Sequence, residues 1–499
     1  MNRSLQTYSP AKNIEALLFA GAGFLLIFLS LKGVGISADS ITYTSVSRNL
    51  NATGTLRTFD EDALVDFPMG YPLFLAAIQF LTRLDPFVYG LFLNAVLFGI
   101  IIYIIQCLLR EDGLPTGERL LCGACLVLSP ALLQVFEMLW SETLFMFYMA
   151  LFLAGAVHYG KTHRKKYLWL MAMATALACV TRYAGVTLAA TGGLILLFDR
   201  ALPFRKRFWN AFLFGSVSIS LLTANLIRNS IISGHLTGDR KKNFLSATAH
   251  LHRFGGVLFG WLPPIHQYPL LYTACALLSI AGMMAACAYF WIKRKESLSI
   301  FAISLAYCVV YSLFILTTAL LTEYEGLDTR LLSPLYIPGL IGLLGFVHTL
   351  LGQSFRYVTK GMILGGLSFL LIGDILLDYN YLAHPDVAYK GYIRYNVDSL
   401  KVSPTLQFLK DYPSRFDTSV SVYSNAPDIM YLVGSREADY LPDLRSAEDL
   451  LDFRTDHGAY LIWLNACMAY PDSYLPALEQ LAPLTLVHSF QDGAIYIHP

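Results

Sequence analysis

Residues 35–77, GISADSITYTSVSRNLNATGTLRTFDEDALVDFPMGYPLFLAA, decide how the rest of this chain is read. They follow the first strongly apolar segment, and a lone acid, Asp39, stands where that segment ends. The stretch reads as a short amphipathic helix, an acidic loop holding Asp60, Glu61, Asp62 and Asp66, and a Pro-containing return to apolar sequence. Around it the composition is that of a bilayer protein. Hydrophobic residues make up 56% of the 499, charged residues 14%, and the mean hydropathy is +0.52. Soluble domains carry roughly 25% charged residues, so the chain is expected to be a polytopic α-helical membrane protein. In such a chain a long polar loop asks for a functional explanation more than the spans do.

Eleven or so apolar segments are expected to span, at about 14–31, 86–109, 120–135, 144–159, 167–180, 186–198, 208–226, 270–291, 298–320, 331–351 and 361–377. The first lacks a small-residue cleavage site followed by soluble sequence and reads as a retained signal anchor. Loop charge sets the orientation. Lys161 with Arg164, Lys165 and Lys166, then Arg200 with Arg205, Lys206 and Arg207, then Lys293, Arg294 and Lys295, then Arg356 and Lys360 mark cytoplasmic loops. The connection TEYEGLDTR, with Glu323, Glu325 and Asp328, is acidic and external. The N-terminus is therefore expected in the cytoplasm and the C-terminus outside. The external loop 228–264 breaks the pattern, because it carries Arg240, Lys241, Lys242 and Arg253; a basic loop on that side suits an anionic lipid phosphate.

After residue 377 the character changes. Strand-like runs at 419–425, 459–465, 484–490 and 494–498 alternate with helical candidates at 403–412, 426–434, 446–454 and 474–481. That alternation predicts a small α/β domain on the outer face. The expected organisation is a membrane domain over 1–378, with external loops 33–85 and 228–268, and a soluble extracytoplasmic domain over 379–499. Asn425-Ala-Pro-Asp reads as a strand-to-helix junction with Asn425 or Asp428 at the cap. The domain shows no Gly-rich phosphate loop, metal-ligand cluster or nucleophile elbow.

The net charge of +1 argues against a nucleic-acid partner. The eight cysteines imply no disulfide framework, and Cys122 and Cys125, a CxxC inside an apolar helix, read as packing.

Charged groups collect at the expected outer ends of the spans: Asp39, Glu137, Glu142, Arg182, Arg228 and Arg330. Each alone reads as a side chain snorkelling to the interface. Together they suit a phosphate-linked donor. Guanidinium groups grip phosphate oxygens in pairs and stabilise the charge that develops as a phosphate leaves. A carboxylate accepts the proton of an attacking hydroxyl, and Asp39 is the candidate. One carboxylate base with a departing phosphate predicts direct displacement and inversion; the paired carboxylates of glycoside hydrolysis are a different arrangement.

The order of these motifs resembles the GT-C superfamily of membrane glycosyltransferases, in the group of protein O-mannosyltransferases, lipid A aminoarabinose transferases and other glycosyltransferase family 39 relatives. The resemblance rests on Asp39 and Tyr43 after the first span, Ser47-Arg48-Asn49-Leu50 with Gly54, and Pro68 with Tyr71-Pro72. It continues through Ser141-Glu142, Thr181-Arg182-Tyr183-Ala184-Gly185, Arg228-Asn229 with Gly234 and Gly238, Arg330-Leu-Leu-Ser-Pro334, and VYSNAPDIMYLVG in the C-terminal part. It implies sugar transfer from a polyprenyl-phosphate carrier to a protein, lipid or polysaccharide acceptor outside a cell membrane of bacterial inner-membrane type. It implies that Asp39 is the catalytic acid of the family motif and that the loop 229–264 helps cover the lipid; Arg182, Arg228 and Arg330 are the arginines expected to bind the donor phosphate. Tyr43, Arg48, Glu142, Tyr183 and Arg240 are further candidate substrate contacts. Many members carry an acid directly after the first; here Ser40 follows Asp39, which leaves Asp39 as the sole local base. No cofactor is expected and no residue pattern supports a divalent metal. Two other readings stay open: a transporter or lipid-linked glycan flippase, and a non-catalytic glycan-assembly protein on the same scaffold.

Overall fold

The structure, a computed structural model, describes residues 13–30, 33–238, 240, 242–261, 268–293, 299–322, 326–351, 365, 403–412, 420–433, 438–465, 470–471 and 473–499. The expected span 361–377, apart from residue 365, and the domain boundary at 378–379 lie outside the described residues, as do Glu323, Glu325, Arg356 and Lys360. The chain divides into two compact units: Met1–Val34, Val65–Phe74 and Leu84–Tyr389 form the first, and Gly35–Leu64, Leu75–Arg83 and Lys390–Pro499 the second.

In the first unit, six helices among the described residues are long and apolar enough to cross a membrane, at Pro86–Glu111, Ser141–Thr162, Phe204–Ser233, Pro269–Ile292, Ile300–Leu321 and Thr329–Thr349. The chain is thus a helical, multi-pass membrane protein with a small C-terminal sheet. We label its helices α1 (Ile14–Ser30), α2 (Ala38–Thr53), α3 (Gly70–Thr82), α4 (Pro86–Glu111), α5 (Thr116–Val127), α6 (Pro130–Glu137), α7 (Ser141–Thr162), α8 (Lys165–Thr181), α9 (Val186–Leu197), α10 (Phe204–Ser233), α11 (Ala247–Gly260), α12 (Tyr272–Lys293), α13 (Ile300–Leu321), α14 (Thr329–Leu332) and α15 (Tyr336–Leu351).

The segment expected to span at 120–135 is broken. Helices α5 and α6 meet at 46° across Ser129-Pro130. Pro130 has no N–H to continue the first helix, and Ser129 restarts the second by accepting from the Leu132 amide at 3.3 Å. The long polar connection after α10 is also more ordered than its sequence indicates. It contains α11, started by Ser246, whose hydroxyl accepts from the Ala249 amide at 3.3 Å. At Gly255 this helix lies so close to α12 that a Cβ would stand 1.7 Å from the Tyr272 carbonyl oxygen. Charged residues near helix ends are paired. Glu15, at the start of α1, holds Arg119, and Lys161 lies 2.8 Å from Asp112.

The second unit joins α2, the latter part of α3 and the C-terminal residues. Ser47 donates to the Gln79 side chain at 2.7 Å, and Asn51 donates to the Ala76 carbonyl and to Gln79, each at 3.1 Å. The sheet holds β1 (Val422–Ser424), β2 (Asp439–Tyr440), β3 (Tyr460–Leu464), β4 (Thr485–Phe490) and β5 (Gly493–Ile497), in the order β2-β1-β3-β5-β4. β1 runs parallel to β2 and β3, whereas β5 is antiparallel to β3 and β4. Helices Pro404–Asp411, Pro427–Val433, Ala447–Thr455 and Tyr474–Leu481 intervene where the alternation predicts them. Strand residues alternate in direction, so β3 feeds two cores. Ile462 and Leu464 join Leu406, Ile429 and Met430 on one face, and Leu461 joins Phe453 and Leu478 on the other. At the strand-to-helix junction the Asn425 side chain bridges two strands. Its amide donates to the Leu464 carbonyl at 2.9 Å and accepts from the Leu464 amide at 2.8 Å, which ties the end of β1 to β3.

Candidate active site

In the first unit, Glu142 is the centre of one cluster. It lies in the first turn of α7 with a fully buried side chain, where an isolated carboxylate is strongly disfavoured. Two arginines compensate it. Arg182 Nη1 lies 2.8 Å from Glu142 Oε1, and Arg330 Nε donates to the same oxygen at 2.5 Å. Arg182 also donates to the Ser141 hydroxyl at 2.8 Å. Neither arginine is sealed: their side chains are 17% and 15% exposed.

Local structure fixes both. Arg182 stands in extended conformation just after α8, with the turn Tyr183–Gly185 behind it. Arg330 sits in the short α14, whose start Asp328 caps by accepting from the Leu331 amide at 2.8 Å. The buried Tyr311 donates to the Leu331 carbonyl at 2.8 Å and pins the same turn from α13. The guanidinium carbon of Arg330 lies 4.3 Å from the centroid of the buried Trp140 ring, a cation–π contact. Trp140 and Tyr311 are site residues that the sequence does not announce, because a buried aromatic in an apolar segment looks like any other. The one available signal is that Trp140 lies two residues before the buried acid.

A second cluster in the same unit gathers around Asn229. This buried amide donates to the carbonyls of Val65 and Leu236, each at 3.1 Å, and its oxygen accepts from Arg228 Nη1 at 2.9 Å. The Tyr183 hydroxyl donates to the Val65 carbonyl at 3.4 Å, and Arg240 Nη2 to the Asp66 carbonyl at 2.6 Å. Arg182 and Tyr183 are consecutive, so this cluster adjoins the first. The loop closes at Gly238, whose φ of +76° is left-handed and whose Cβ would stand 1.7 Å from Asp66 Oδ1. Replacing Gly238 by alanine combines backbone strain with this clash and is expected to destabilise the chain by about 1–3 kcal/mol. Thermal unfolding in detergent reads this out, and an unchanged melting temperature would contradict it.

Asp39, Tyr43 and Arg48 belong to the second unit. Asp39 occupies the first turn of α2, where a carboxylate is favoured by the helix dipole. Ser40 occupies the third helical position and accepts from the Ser37 amide through its hydroxyl at 3.1 Å, so it serves as part of the helix cap. Tyr43 is buried, at 2% exposure. Arg48 donates to the Tyr431 hydroxyl at 3.3 Å. Asp39 has acidic and aromatic company. The Tyr440 hydroxyl is pushed well above its usual pKa by desolvation of its polar end, and then by Asp428, Asp60, Tyr470 and Asp39, although 48% of the whole residue is exposed. Asp439 is raised for the same reason, by desolvation first and then by Asp60, Asp62 and Asp456. Among the described residues, no group of three or more His, Cys, Asp or Glu is placed to hold a metal ion.

No protein-family model matches the sequence, and no curated protein matches it. Solved structures do. ArnT from Cupriavidus metallidurans in the apo state superposes with a TM-score of 0.59 at 13% identity, over 98% of both chains. The same ArnT bound to undecaprenyl phosphate superposes with a TM-score of 0.54 at 16% identity, over 97% of this chain and 98% of that one. The mycobacterial arabinofuranosyltransferase AftD superposes with a TM-score of 0.54 at 16% identity; the match covers 96% of this chain and 41% of AftD. The chain has the fold of the GT-C glycosyltransferases.

Proposed function

We propose that this protein is a membrane glycosyltransferase that moves a sugar from a polyprenyl-phosphate donor to an extracytoplasmic acceptor, with inversion at the anomeric carbon. The observation that carries the reading is the buried Glu142 shared between Arg182 and Arg330, on a chain with the ArnT fold from end to end. One carboxylate orienting two guanidiniums holds their forks in place for a second anionic ligand, and a phosphate has the matching geometry. ArnT has been solved with undecaprenyl phosphate bound, which supports a polyprenyl phosphate as that ligand here.

In this mechanism Asp39 takes the proton of the acceptor hydroxyl. The acceptor oxygen bonds to the anomeric carbon from the face opposite the leaving group. The bond from that carbon to the phosphate oxygen breaks, and its electron pair leaves on the phosphate, where Arg182 and Arg330 stabilise it. Arg228 joins them at the donor phosphate, Arg240 lies on the loop that helps cover the donor lipid, and Tyr43 and Tyr183 are further candidate substrate contacts. The same reading gives about eleven spans in a membrane domain over 1–378, a cytoplasmic N-terminus and an extracytoplasmic domain over 379–499.

Arg330→Ala tests the phosphate assignment. Losing hydrogen bonds to a charged group corresponds to roughly 10- to 100-fold, expected as a rise in donor KM with acceptor preference unchanged. Arg330→Lys keeps the charge without the fork and should fall between the two. Unchanged donor KM and rate in Arg330→Ala would refute the assignment.

A further inference from the structure

We propose that Arg48 and Tyr431 are positioning residues for sugar transfer: they lock the helix that carries Asp39 onto the C-terminal sheet, so that the sheet sets the placement of the base. The inference rests on the reading of Asp39 given above.

The contacts lie within the second unit. Arg48 donates to the Tyr431 hydroxyl at 3.3 Å, and its guanidinium carbon lies 5.8 Å from the centre of the Tyr431 ring. The Tyr431 ring also lies 5.7 Å from that of Phe59, and Phe59 in turn lies 6.4 Å from the Tyr440 ring on β2. Phe59 is buried, at 5% exposure. Tyr431 is itself firmly held, because its helix neighbours Ile429 and Met430 are in the core that β1 and β3 build. A continuous set of contacts therefore runs from the sheet core through Tyr431 to Arg48. On an adjacent face α2 is fastened through Ser47 and Asn51 to α3.

Arg48 follows Asp39 by nine residues in one helix, about 14 Å along its axis. A helix held at that point on two faces has little freedom to tilt at its first turn. Displacing a reacting group by about 1 Å costs up to 100-fold in rate, so a clamp remote from the chemistry is felt in kcat.

The test uses the full chain in detergent with a synthetic polyprenyl-phosphate sugar donor. Arg48→Ala and Tyr431→Ala are each expected to lower kcat by about tenfold with donor KM unchanged. The double variant should be no slower than the slower single one, because both remove one interaction. Arg48→Lys keeps a cation over the ring and should recover part of the rate. Tyr431→Phe keeps the ring and its packing, and guards against reading misfolding as mechanism; it should lose no more than about threefold. Hydrogen exchange across α2 should accelerate in Tyr431→Ala, and this readout needs no turnover. Unchanged kcat in both single variants, multiplied losses in the double, or a raised donor KM at constant kcat would overturn the proposal; the last would make Arg48 a substrate contact. Unchanged exchange across α2 would overturn the clamp itself. A wild-type chain that transfers no sugar would instead remove the function proposed above, with the exchange result then deciding the clamp alone.

Discussion

Glu142→Ala is expected to abolish transfer and to destabilise the membrane unit. The substitution leaves two guanidiniums, Arg182 and Arg330, facing each other where one carboxylate held both. Removing one partner of a buried ion pair typically costs 3–5 kcal/mol, and roughly the lower end applies here because the arginines keep 17% and 15% of their side-chain surface in contact with solvent. Glu142→Gln separates the two effects. The amide oxygen still accepts hydrogen bonds, so much of the stability should return, while the lost charge leaves the two cations repelling each other. Thermal unfolding and donor titration of both variants measure this directly. A Glu142→Ala protein with wild-type melting temperature and donor affinity would show that the cluster neither holds the unit together nor serves the donor.

Asp39→Asn should leave the fold and the donor KM intact and lower the transfer rate by roughly 10²–10⁴, the usual contribution of a general base. The helix cap depends on Ser37 and Ser40, so the asparagine variant keeps it and gives up only the favourable interaction of the carboxylate with the helix dipole, about 0.3–1 kcal/mol. Initial rates at saturating donor and acceptor give the measurement. Equal turnover by variant and wild type would remove Asp39 as base. Ser40 sharpens this prediction: its hydroxyl accepts from the Ser37 amide, so the residue directly after Asp39 serves the helix cap.

The sequence carried the fold well where the physics is local. The six described helices long and apolar enough to span coincide with six of the eleven or so expected segments, and the C-terminal strands follow from β-branched and aromatic runs between turn residues; the two-residue β2 was too short to register. The break at Ser129-Pro130 escaped because a hydropathy window averages over a proline. The helix α11 escaped because its apolar pattern is interrupted by His250, His252, Arg253 and the pair Gly255-Gly256. Candidate residues were visible as charges in apolar surroundings, and the structure brings Glu142, Arg182 and Arg330 together from positions up to 188 residues apart. It also gathers Tyr183, Arg228 and Arg240 around Val65 and Asp66 through Asn229. What could not be read is partnership. Arg48 meets Tyr431 across 383 residues of chain, and no local pattern in either segment names the other.

The most direct measurement is to incubate the purified full chain with a labelled polyprenyl-phosphate sugar and an envelope acceptor fraction, and to follow both the label and its linkage. The account predicts that polyprenyl phosphate is released and that the label enters a new glycosidic bond of inverted anomeric configuration. Label that crosses sealed vesicles on its intact carrier, with no new glycosidic bond, would contradict it and identify a lipid-linked glycan transporter instead.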